Sequence, residues 1–111
     1  MELQELADRQ EIVDVITRYT RAIDTRSWDE LDAVFTDDAV LDYSSVGGPV
    51  DSLAVAKPWV AQGLGGFLRY QHVIGQVAID LDGDTARATA YFTNPMVAQN
   101  PDGTENLVEV G

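Results

Sequence analysis

The β-rich stretch from Leu68 to Val97, interrupted by Asp82-Gly83, limits the possible folds more than any other feature of this chain. It is enriched in Val, Ile, Thr, Tyr and Phe. Asp-Gly between two such runs predicts an antiparallel hairpin, with one strand to about Leu81 and a return strand from Thr85 to about Val97. A two-stranded ribbon is marginal alone in water, so it requires further strands or a helix laid on its apolar face. The sequence offers such a helix. From Leu3 to Ile23 the residues Leu6, Ile12, Val13, Ile16, Tyr19 and Ile23 recur at three- and four-residue steps, with Asp8, Glu11, Asp14, Arg18 and Arg21 on the other side.

The intervening segment reads as two short helices and a strand. Ser27 followed by Glu30 predicts a capping box that opens a second helix through about Phe35. Ala39, Leu41 and Tyr43 alternate with Val40, Asp42 and Ser44 as a strand ending at Gly47-Gly48-Pro49. Asp51 to Gly63 is a third helix, with Pro58 expected in its first turn. Asn100-Pro101-Asp102-Gly103 is a turn, and Glu105 to Val110 begin a further strand. A final strand normally has a partner or a charged edge, so the expectation is a single domain over residues 1–111 that is C-terminally shortened.

With 111 residues, 45% hydrophobic and 23% charged, the chain has the composition of one soluble globular domain. A net charge of -12 without any basic run argues against nucleic acid and against anionic membrane surfaces. No apolar run reaches the length of a membrane span and the N-terminus is acidic, so a cytoplasmic protein is expected. The absence of cysteine excludes disulfides and thiolate chemistry, and the single histidine excludes a multi-histidine metal site within one chain. No metal and no cofactor are expected.

Four residues stand out for chemistry. His72 precedes Gly75, and a bulge at that glycine would bring His72 onto the same face as Val77, Ile79 and Leu81. An inward imidazole needs a polar partner, and a backbone carbonyl or water would serve as well as a catalytic group. Asp24 closes the first helix, where the helix dipole disfavours a carboxylate; it is either a partner for His72 or an exposed turn residue. Tyr19 and Tyr43 both face the interior and need hydroxyl partners, as core tyrosines also do. Phe35, Trp59, Phe92 and Met96 are packing residues that could line a hydrophobic pocket. Asp42 and the Asp37-Asp38 pair read as solvated.

Three segments, Tyr19 to Leu31, Phe35 to Tyr43 and Gln71-His72-Val73-Ile74-Gly75, resemble the SnoaL-like family of the nuclear transport factor 2-like superfamily, with scytalone dehydratase and the bile-acid 7α-dehydratases as similar members. The resemblance implies an α+β fold: a cone-shaped, curved antiparallel sheet packed on three N-terminal helices around a hydrophobic cavity, here lacking the C-terminal strands. It implies an acid/base pair at Asp24 and His72, with Tyr43 and Tyr19 at the positions of the family's active-site tyrosines. Ile23 stands where scytalone dehydratase has a tyrosine, which argues against that enzyme's own substrate. The ketosteroid isomerases of the superfamily carry their base on the first strand, where this chain has Tyr43.

The resulting expectation is a cofactor-independent dehydratase or isomerase acting on a small hydrophobic cyclic substrate, polyketide- or steroid-like, through His72 and Asp24. The alternative is a non-catalytic small-molecule-binding or scaffold module of the same fold. A homodimer is expected in either case.

Overall fold

The structure is a computed structural model that describes all residues from Met1 to Gly111. Helix α1 (Leu3–Asp24) follows the predicted amphipathic repeat, although burial is concentrated at its end, in Thr20, Ala22 and Ile23, and Leu6 remains 56% exposed. The second helix differs from the expectation. Trp28–Ala33 is a 3-10 helix of 6 residues, and the Ser27 hydroxyl makes no capping bond because it pairs with Thr25 Oγ1 at 2.9 Å.

The first strand is shorter than predicted. β1 (Leu41–Asp42) pairs only with β2 (Val50–Asp51), and between them Ser44–Val46 form a single 3-10 turn that closes on Gly47 at φ 80. Because Val50 and Asp51 are drawn into this pair, helix α2 (Leu53–Gly65) starts and ends two residues later than expected. Even with this later start Pro58 sits inside α2, beyond the first turn, and leaves the Ala54 carbonyl without its helical donor. Ala54 is exposed, so water can take that place.

The predicted long strand is interrupted at Gln71-His72, giving β3 (Phe67–Tyr70) and β4 (Val73–Asp82). Both pair antiparallel with β5 (Thr85–Gln99), which is 15 residues long, and β6 (Glu105–Val110) pairs with the other edge of β5 from Asn94 to Gln99. The β4–β5 turn has Gly83 at φ 57, the left-handed conformation for which Asp-Gly is suited. The register slips by one residue between Ile74 and Val77, so the bulge expected at Gly75 is present and Ile74, Val77, Ile79 and Leu81 share the inner face with Phe92.

The architecture is α+β, with helices packed on antiparallel sheets. Its core is small. Ala22, Ile23, Leu31 and Val60 form the buried cluster, ringed by partly buried Tyr19, Tyr43, Trp59 and Tyr70 among others. Only 9 of 111 residues are buried and the radius of gyration is 15.9 Å, against about 13 Å for a compact chain of this length. No helix is long and apolar enough to cross a membrane.

Candidate active site

The site begins at the end of α1. Thr25 N–H bonds to Arg21 O at 3.0 Å, Arg26 N–H to Ile23 O at 3.1 Å and Ser27 N–H to Ala22 O at 2.8 Å, which is the hydrogen-bond pattern of a Schellman cap. The left-handed position of this cap is usually glycine; here it is Arg26 at φ 57, a strained choice costing of order 1 kcal/mol. The cap turns the chain away immediately after Asp24 and leaves its carboxylate facing the break between β3 and β4.

Asp24 holds His72 through both oxygens. Oδ2 accepts the His72 backbone N–H at 2.9 Å, and Oδ1 lies 2.6 Å from Nδ1 of the ring. An ionised carboxylate only accepts, so Nδ1 carries the proton and, in the neutral ring, the free lone pair is on Nε2. The side chains are 12% exposed for His72 and 23% for Asp24. Phe92 packs beside the imidazole, with ring centroids 6.1 Å apart and an interplanar angle of 32°. The two bonds to His72 compensate Asp24 for standing at the negative end of the helix dipole.

The tyrosines form a second group. The hydroxyls of Tyr19 and Tyr43 are hydrogen-bonded to each other. Phe35 stands edge-on to Tyr19 at 5.9 Å and Trp59 lies against Tyr43 at 5.5 Å. Burial raises both phenols above their ordinary ionisation range; for Tyr19 the neighbouring Tyr43 adds to the rise, whereas for Tyr43 the bond from Tyr19 partly offsets it. Both are therefore neutral donors at physiological pH. A hydroxyl pair uses only one of its two protons internally, so one O–H remains to serve a ligand.

No hydrogen bond joins the tyrosine pair to Asp24 and His72. Met96 is buried and faces Tyr70 in the β3–β5 register, so among the predicted lining residues Phe92 contacts the histidine and Phe35 and Trp59 contact the tyrosines. Asp42 is exposed and bonded to Ser44, and Asp37 and Asp38 are exposed. A cavity of about 310 Å³ lies elsewhere: it is lined by Phe35, Leu53, Lys57 and Asp32 among others and takes in only Phe35 of the predicted residues.

Three residues at or near the site were not singled out from the sequence. Tyr70 donates its hydroxyl to Ile23 O at 2.7 Å; burial raises its phenol, nearby Arg26 opposes the rise and Asp24 supports it. Arg26 donates to Phe67 O at 2.7 Å with its guanidinium 5.1 Å from the Tyr70 ring centre. Asn94 is 7% exposed and its Oδ1 is buried without a partner, on the strand face it shares with Phe92 and Met96. The alternation of β5 was the signal for Asn94, because a polar residue between two inward apolar ones invites explanation. Nothing local distinguished Arg26.

Residues 4–111 match the SnoaL-like domain. The chain belongs to that family. A Mycobacterium tuberculosis relative of uncharacterised function is 41% identical over 97 residues, which cover 87% of this chain and 66% of that protein; the SnoaL-like chain thus spans just under two thirds of its curated relatives' length. Among solved structures, a Novosphingobium aromaticivorans protein provisionally named an aromatic ring hydroxylase superposes with a TM-score of 0.78 at 30% identity, covering 93% of this chain and 73% of its own. A provisionally named dehydratase of the NTF2-like family from Streptomyces avermitilis gives 0.57 at 15% identity, covering 91% of each, a likeness of fold alone. The fold is that of the NTF2-like proteins.

Proposed function

We propose that this SnoaL-like chain carries a cofactor-independent acid–base activity of the dehydratase or isomerase type, on a small hydrophobic cyclic substrate with a carbonyl next to an acidic C–H. The observation behind this reading is the double grip of Asp24 on His72, which fixes the ring and directs its basic Nε2 away from the carboxylate. A histidine needed only for packing would be satisfied by a backbone carbonyl or water at Nδ1 instead of a carboxylate.

In this mechanism His72 Nε2 removes the proton from the carbon next to the carbonyl, and the electron pair moves onto the carbonyl oxygen. Asp24 stabilises the imidazolium that forms. Tyr43, or Tyr19 through it, donates to the developing enolate oxygen. In a dehydration the enolate re-forms the carbonyl and expels the neighbouring hydroxyl, which leaves as water with the proton returned by His72. Phe92 and Met96, with Phe35 and Trp59 beside the tyrosines, supply apolar contacts for the ring system. The unpartnered amide oxygen of Asn94 suits a substrate hydroxyl. The aromatic-ring substrate in the provisional name of the Novosphingobium neighbour is of the same hydrophobic, cyclic class.

The test is a panel of fused-ring ketones bearing a β-hydroxyl, incubated in D2O and followed for deuterium uptake next to the carbonyl and for loss of water. His72→Ala is expected to lower exchange at least about 100-fold. Binding of a panel member without exchange in the wild type would replace the enzyme with a binding module, and exchange at wild-type rate in His72→Ala would remove the base from this mechanism.

A further inference from the structure

We infer that Arg26 and Tyr70 form a latch that positions Asp24 for His72, an inference that rests on the functional reading above. Three side-chain rungs join the end of α1 to the β3–β4 segment. Arg26 reaches Phe67 O, Tyr70 reaches Ile23 O, and Asp24 reaches His72. The rungs are interleaved: Ile23 is the residue before Asp24 and Arg26 lies two beyond it, while Tyr70 lies two residues before His72 on the opposing chain. The bond of Tyr70 to Ile23 therefore fixes the height of the strand relative to the helix end, one residue from the carboxylate. The Arg26 guanidinium covers the Tyr70 ring and ties the start of β3 to the same turn.

The choice of residue at the cap supports a role beyond ending the helix. Glycine suits the left-handed position without strain, and the chain instead holds an arginine there at φ 57. A cap alone gains nothing from that side chain. Its reach across 41 residues to Phe67 does what glycine cannot. Tyr70 is equally specific: a phenylalanine would keep the ring under the guanidinium and lose only the bond to Ile23. Neither residue makes a hydrogen bond or ring contact with the imidazole, so both act through Asp24 as positioning residues.

The single histidine makes the test direct. Protein labelled with ¹⁵N in histidine is examined as wild type, Asp24→Asn, Arg26→Gly and Tyr70→Phe for the Nδ1–H resonance and the ring nitrogen pattern, with the backbone amide spectrum recorded alongside. Arg26→Gly relieves the strained backbone, so its amide spectrum is expected to stay that of a folded chain while the Nδ1–H resonance is lost. Tyr70→Phe should weaken the same resonance without abolishing the fold. An unchanged Nδ1–H signal in both latch variants, with loss of the signal in Asp24→Asn, overturns the latch and leaves the Asp24–His72 reading intact. A signal unchanged in Asp24→Asn as well overturns both.

Discussion

Asp24→Asn keeps the shape of the side chain and reverses what it offers His72. The structure demands an acceptor at the position of Oδ2, because the His72 backbone N–H points there at 2.9 Å. An asparagine that satisfies this donor must put its NH2 at the position of Oδ1, which lies 2.6 Å from Nδ1. The amide then donates to Nδ1, the ring proton moves to Nε2, and the lone pair that would take a substrate proton is consumed. The stability cost is modest. Each of the two charge-assisted bonds contributes about 1 kcal/mol more than a neutral one, and removing a carboxylate from a helix C-terminus returns 0.3 to about 1 kcal/mol, so the net loss should be about 1 to 2 kcal/mol. Turnover in the deuterium-exchange assay should fall by roughly 100- to 10,000-fold, the range of general-base contributions. Activity would thus collapse in a protein that still melts cooperatively. Ring ¹⁵N shifts report the tautomer directly. A variant in which Nδ1 remains protonated, or in which exchange persists at wild-type rate, would refute the argument.

Gly48→Ala would place a methyl group 2.6 Å from Trp59 Cη2 and 2.7 Å from Tyr43 Cβ, so the ring stack beneath the tyrosine pair must shift. The expected loss is about 1 to 3 kcal/mol by thermal unfolding, and an unchanged melting temperature would show that Trp59 moves freely. Gly75→Ala should cost less than about 1 kcal/mol, because its nearest neighbour is Tyr91 O at 3.5 Å and its φ is not left-handed; a larger loss in the same assay would show that the bulge needs glycine after all. Above pH 10, the ordinary phenol value, stability should fall as pH rises, by up to about 1.4 kcal/mol per unit for each phenol that burial keeps protonated. The sign follows because the unfolded chain releases those protons first. Denaturant melts of the wild type and Tyr19→Phe check this: the variant should show the shallower decline, and equal slopes would count against the buried pair.

The long elements were legible because their signals are periodic. The α1 repeat, the Asp82-Gly83 turn and the turn before β6 depend on neighbours in sequence, and each lies within a residue or two of its expected place. The failures share a cause. Ser27 matched a capping box, but its hydroxyl found Thr25 first; the third helix was expected from Asp51, but pairing of β2 displaced its start to Leu53. In both, a contact made elsewhere changed the local outcome. His72 was legible as an inward residue from the Gly75 bulge, yet the glycine there is not used for its backbone freedom, since a Cβ would fit. Arg26 was illegible for the opposite reason, because its position defies propensity and only the reach to Phe67 accounts for it.

What holds the candidate site together also follows from the packing. In a well-buried domain, close packing alone fixes side chains to a fraction of an ångström. Here 9 residues are buried, and Phe67 to His72 are only half-covered or exposed, so burial alone cannot fix this segment against the helix end. Directional bonds can. Four side-chain hydrogen bonds, spanning 41 to 48 residues of sequence, connect positions 23 to 26 with positions 67 to 72. Each sets a distance and an angle, whereas an apolar contact sets little beyond proximity. Two of the four are the Asp24 bonds themselves, which means the carboxylate proposed to tune the base is also one of the fastenings of the sheet. Asp24→Asn, which keeps both hydrogen bonds and reverses only the one to the ring, should therefore separate chemistry from structure, whereas Asp24→Ala would remove both at once.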